Sequence, residues 1–119
     1  MHIASLTWGK CGGNVWCNLL TLNLDHPYFS AVEGVYIIWH GGANPRVVYV
    51  GEGVIADRLR AHRTDARILK YGMYGIFVTW ATVGPSMRPG VERFLADHFR
   101  PLVGDRVPNA EPISVNSPW

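Results

Sequence analysis

Gly34-Val35-Tyr36-Ile37-Ile38-Trp39, the turn-rich His40-Gly41-Gly42-Ala43-Asn44-Pro45 and then Arg46-Val47-Val48-Tyr49-Val50-Gly51 form the stretch that decides the fold. Two runs of β-branched and aromatic residues, parted by glycine, asparagine and proline, predict a hairpin with one tyrosine of interest on each strand. The second strand feeds a helix expected from Glu52 to about Lys70. At roughly 100° per residue, Ile55, Leu59, Ala66 and Leu69 gather on one side of it. Arg58 and His62 fall on or beside that side, while Arg60, Arg63, Arg67 and Lys70 form a basic stripe elsewhere. An arginine and a histidine one turn apart on a partly buried face must be paired or functional, because desolvating charge is costly. Arg58 can equally lay its stem along the core edge and let its head reach water. The helix alone does not choose between the two.

Working outward, Gly72 closes that helix, and Ile76 to Val83 forms a third strand with Phe77, Thr79 and Ala81 opposed to Val78 and Trp80. Pro89 opens a helix from about Gly90 to Leu102, since a first-turn proline gives up no needed hydrogen bond. Val91, Phe94, Leu95, Phe99 and Leu102 share its apolar side, and Glu92 sits at the rim. An acidic residue in a first turn is favoured by the helix dipole with or without a metal. Upstream, Val15 to Leu24 alternates as an added edge strand or packing arm. The expected fold is α/β in the α+β sense: a three-stranded mixed or antiparallel sheet flanked by helices. Residues 1–33 are an extension packed on a core domain of residues 34–119. The tail from Gly104 is extended or irregular and carries Asn109 and Asn116.

Taken together, Gly34-Val35-Tyr36, thirteen residues ahead of Tyr49-Val50-Gly51, then Arg58, His62, Glu92 and a terminal asparagine, resemble the GIY-YIG nuclease domain. Valine replaces isoleucine in both halves, and the resemblance runs from about Gly34 to near the C-terminus. It implies a divalent-metal-dependent endonuclease that hydrolyses DNA phosphodiester bonds. Glu92 would hold one Mg2+ (or Mn2+) together with waters, a mode that suits a single carboxylate. Arg58 would clamp the scissile phosphate, a task for which a guanidinium surpasses an ammonium. Tyr36 and Tyr49 would position water and phosphate, with Tyr36 the candidate general base. A phenol with a reference pKa of about 10 serves as a base only if its phenolate is stabilised; otherwise it orients a hydroxide. His62 would position or shuttle protons. Asn116 would brace the site, preferred over Asn109 because Ile113-Ser114-Val115 can carry it against the core. His2, His26, His40 and His98 join no constellation.

The whole chain, 119 residues with a net charge of +2, suits one domain and does not by itself advertise a nucleic-acid binder. Residues 46–70, however, hold six Lys or Arg against three acids. That basic patch, with Arg60, Arg63, Arg67 and Lys70 as candidate nucleic-acid contacts, fits a phosphate-bearing partner or a solvated helix face. Cys11 and Cys17 lack the companions of a zinc site and read as buried or free thiols in a reducing compartment. No leader pattern and no run of ~20 apolar residues is present, so a cytoplasmic protein without membrane contact is expected. Nothing resembles a helix-turn-helix or zinc finger, so a second protein could supply specificity. Oligomeric state is left open. The competing functions are a noncatalytic nucleic-acid-binding module and a protein-interaction domain using exposed tryptophans such as Trp119.

Overall fold

A computed structural model describes residues 4–104 and 107–119. Its centre is a four-stranded antiparallel sheet in the order β1-β4-β2-β3, with β1 at Cys17–Asn18, β2 at Glu33–His40, β3 at Arg46–Val54 and β4 at Ile76–Thr82. Seven of the eight β2 residues are buried, which is why that segment reads as an unbroken apolar run instead of an alternation. Side chains still alternate between the faces. Tyr36, Ile38, Val78 and Trp80 join one core cluster; Val35, Ile37, Trp39 and Ala81 join the other. Helix α1 (Ile55–His62) covers the first face with Ile55, Ala56 and Leu59. Helix α3 (Arg88–Phe99) covers the second with Val91 and Leu95. A third, short helix, α2, spans Ala66–Leu69.

The three central strands, β4, β2 and β3, are all antiparallel, and the added N-terminal strand, β1, pairs at the β4 edge to make the fourth. Several expectations need correction. The N-terminal strand shrinks to Cys17–Asn18 because Asn18 then nucleates a turn: its side chain accepts from the Leu20 N–H at 2.8 Å and its carbonyl from the Leu22 N–H at 3.0 Å. Leu19 and Leu24 are the buried leucines of that segment, while Leu20 faces solvent. Arg63 staples the segment down, with Nε donating to the Leu19 carbonyl at 2.8 Å and Nη2 to that of Leu22. The extension therefore shares a core cluster with Tyr36 and Leu59. Cys11 and Cys17 form a disulfide, so the free-thiol reading fails; such bonds belong to oxidising settings. Among the described residues no helix is long and apolar enough to cross a membrane.

The long helix expected from Glu52 divides. Strand β3 runs on to Val54, α1 ends at His62, and the Asp65 carboxylate caps α2 by accepting from the Arg67 N–H at 2.9 Å. The break rotates Ala66 and Leu69 to solvent and buries Ile68 in their place. Gly72 opens a 3₁₀ turn, Gly72–Tyr74, and does not close the helix. Helix α3 stops at Phe99 because Arg100 adopts a left-handed conformation, φ 49°, ahead of Pro101. Leu102 thus lies outside the helix. Its N–H and that of Val103 donate to the Val47 and Val48 carbonyls, covering the outer edge of β3.

Candidate active site

A β-bulge and two glycines arrange the tyrosines. Ile38 opposes Tyr49 but Trp39 opposes Val47, so Val48 is the extra residue, and Val48 and Tyr49 both join the cluster on the α1 face. Tyr36 opposes Gly51, where a Cβ would overlap the Tyr36 ring and hydroxyl. Gly34 is needed for a different reason: a Cβ there would run into the backbone of Ala81 and Val83. With those spaces kept, the Tyr36 and Tyr49 rings stack at 6.1 Å between centroids and 12° between planes. His62, from the last turn of α1, lies 5.4 Å from the Tyr36 ring and 4.4 Å from that of Tyr49. Its Nε2 is hydrogen-bonded to the Tyr36 hydroxyl at 2.6 Å, the phenol donating when Nε2 carries no proton. Tyr36 is wholly buried, at 0% exposure, and His62 is at 4%.

In front of this buried trio lies an open cavity of about 610 Å³, bordered by Tyr49, Gly51, Glu52, Arg58, Glu92 and Asn109. Three elements meet there. Tyr49 and Glu52 come from β3, Arg58 from α1 on one face of the sheet, and Glu92 from α3 on the other. Glu52 stands opposite Val35, hence on the α3 side of the strand with Glu92. Burial pushes the Glu92 carboxyl up to about 7, the charge of Glu52 adds to that rise, and Arg58 opposes it. Arg58 is held above its ordinary value, first by hydrogen bonding to Tyr36 and that phenol's charge, with Tyr49 contributing and burial opposing. The Arg58 side chain itself is exposed, whereas His62, one turn on, is buried. Arg58 therefore links the closed phenols to the open cavity.

The other expected site residues lie elsewhere. Asn116 does not border the cavity: its Oδ1 accepts from the Leu6 N–H at 2.6 Å and its Nδ2 donates to the Leu6 carbonyl at 2.9 Å, clamping the N-terminal segment to the tail. Asn109 is the asparagine at the cavity. The basic stripe is largely exposed, and its members have partners within the chain. Arg60 meets Asp25 at 2.5 Å and the Leu24 carbonyl at 3.1 Å, and Arg67 meets Asp65 at 2.8 Å. Arg63 holds the two leucine carbonyls named above, and Lys70 stands 5.2 Å over the Tyr71 ring. None of the four borders the cavity. His2 lies outside the described residues.

Glu52 is the residue the sequence reading missed. Assigned to a helix, it carried no face; continuing the strand parity of Val50 by two residues would have put it on the α3 side. Among the described residues no three His, Cys, Asp or Glu side chains converge to hold a metal ion. Glu92 and Glu52 nonetheless supply two hard oxygen donors on one open cavity. That donor set fits a largely hydrated Mg2+ and does not fit zinc. Comparisons of the chain with protein-family models, curated proteins and solved structures found no match.

Proposed function

We propose that this cavity is the active site of a divalent-metal-dependent endonuclease of GIY-YIG type, hydrolysing phosphodiester bonds in DNA. The observation that carries the reading is the meeting of Tyr49, Arg58 and Glu92 on one cavity, backed by the Tyr36–His62 hydrogen bond. Packing accounts for the burial of Tyr36, Tyr49 and His62, but not for bringing the Arg58 and Glu92 side chains, from opposite faces of the sheet, to one open cavity.

Each group has a task that its surroundings suit. Arg58 is fully charged and anchored on two phenols, so it offers a preorganised fork to a phosphate without the entropy loss of ordering a loose side chain. Tyr49 faces the cavity and orients the attacking water or a phosphate oxygen. Tyr36 is closed to solvent, so its role is to position Arg58 and to pass a proton between its hydroxyl and His62 Nε2. Glu92, with Glu52 beside it, would hold the cation, and Asn109 lends an amide at the rim. A divalent ion bound there supplies charge neutralisation at the phosphoryl and leaving oxygens.

Incubation of supercoiled plasmid with protein and Mg2+ tests the reading: nicking that stops on adding a chelator is expected. Arg58→Ala and Glu92→Gln should each slow it about a hundredfold or more while circular dichroism stays native. Binding without chelator-sensitive nicking would mark a noncatalytic module instead.

A further inference from the structure

A second cavity, of about 390 Å³, opens on the α3 face of the sheet at the far end of the same helix, lined by Trp16, Trp39, Phe99, Trp119 and Arg46 among others. We infer that it is a pocket for an unpaired nucleobase of the strand whose phosphate occupies the Arg58–Glu92 cavity; the assignment deepens, and rests on, the nuclease reading. The walls are aromatic on several sides. Trp39 and Trp119 lie 4.7 Å apart between centroids, Trp16 and Trp39 5.3 Å, and Phe99 and Trp119 5.6 Å, all inclined and none stacked flat. Mutually inclined rings around a space leave faces available to a flat guest. Trp119, 56% exposed, keeps part of its ring open where it lines the pocket.

Charge selects the guest. Arg46 lines the pocket, Lys10 sits 4.3 Å over the Trp16 ring, and Arg100 is exposed next to Arg46, whose Nη2 donates to the Arg100 carbonyl at 3.2 Å. Among the described residues, no Asp or Glu side chain borders the pocket. A quaternary ammonium would meet Arg46 instead of a carboxylate, and a purely apolar peptide would leave the cations unmatched. A base joined to phosphates satisfies both the ring faces and the cations, the combination by which single strands are held.

Position ties the pocket to the cleavage site. Glu92, Ala96 and Phe99 follow one another at i, i+4 and i+7 along α3, so the backbone positions that carry the carboxylate and the pocket's Phe99 are about 10 Å apart along one stripe of the helix. On β3, Val47 borders the pocket and Tyr49 the cavity. Such a separation is a few nucleotides, too close for the base to remain in an undisturbed duplex while the neighbouring phosphate is bound. The substrate class is therefore DNA carrying unpaired nucleotides.

The test is fluorescence anisotropy in EDTA with a labelled oligothymidine of about a dozen nucleotides, alongside tryptophan emission. Wild-type protein should bind it with quenching of tryptophan emission. Trp119→Ala should bind about tenfold or more weakly, with Trp119→Phe close to wild type, and a matched duplex should bind less well and be insensitive to both changes. Equal binding by Trp119→Ala, or unchanged emission at saturating oligothymidine, overturns the inference, as does quenching by a trimethyl-lysine peptide in place of the oligonucleotide. Because EDTA prevents turnover, these outcomes are independent of plasmid nicking: loss of the pocket result leaves cleavage standing, and absence of cleavage leaves the binding result readable.

Discussion

The Tyr36 hydroxyl lies 2.6 Å from His62 Nε2, although 26 positions separate the two in sequence. Both side chains are buried, so this bond is formed where water competes poorly. Tyr36→Phe keeps the ring and removes the hydroxyl, and should cost about 1–2 kcal/mol in urea unfolding. It should also slow nicking, since Arg58 loses an anchor. Unchanged stability in this variant would mean the hydroxyl contact is not formed in solution.

Glu92 makes stability depend on pH in the metal-free protein. Its folded pKa of about 7 exceeds the ordinary value of 4.5, so the folded state binds the proton more tightly than the unfolded state does. The associated stability is fully present below the ordinary value and is lost as pH rises through about 7. In EDTA, wild type should lose roughly 1 kcal/mol between about pH 5 and about pH 8 from this group, after allowing for its partial solvent contact. Glu92→Gln should flatten that part of the melting-temperature profile. A wild-type profile as flat as that of the variant would refute the assignment.

Gly51→Ala should cost about 1–3 kcal/mol, because the added methyl overlaps the Tyr36 ring. Gly72→Ala serves as the comparison, since nothing lies within 4 Å of the Cβ it would add. Thermal melts of both should separate by several degrees, with nicking lost only in the Gly51 variant.

The Cys11–Cys17 bridge closes a loop across a separation of 6 that carries Trp16. Loop-closure entropy for so short a ring gives about 2 kcal/mol. Replacing both cysteines by serine should lower the melting temperature accordingly, and wild type treated with reductant should match it.

What the sequence made legible follows from where the information lies. Val35 to His40, Val47 to Val50 and Ile76 to Thr82 announce themselves because β-branched and aromatic residues fill both faces of buried strands. Ile55 and Leu59 do the same for α1, and Pro89 for the start of α3. The division of the long helix was hidden because it depends on a single carboxylate, Asp65, outcompeting continuation of the helical ladder. The extent of the N-terminal strand was hidden because the order of that arm comes from partners far along the chain, chiefly Arg63. At the site, Tyr36, Tyr49, Arg58 and Glu92 were named through the family resemblance, but which asparagine reaches the cavity depended on the path of the tail. Nothing local distinguishes Asn109 from Asn116; only the Leu6 backbone, 110 positions away, claims one of them.

The donation from Leu102 and Val103 to the Val47 and Val48 carbonyls has a consequence for company. Strand β3 is an outer strand of the sheet, yet this stretch of its hydrogen-bonding rim is already taken by its own chain, and at the opposite rim the Trp80 carbonyl receives the Gly9 N–H. These stretches of the two rims are thereby guarded against templated strand addition and fibril-like stacking. A neighbour that meets the sheet at these stretches is recruited through side chains, by fit and charge, and not by adding a strand.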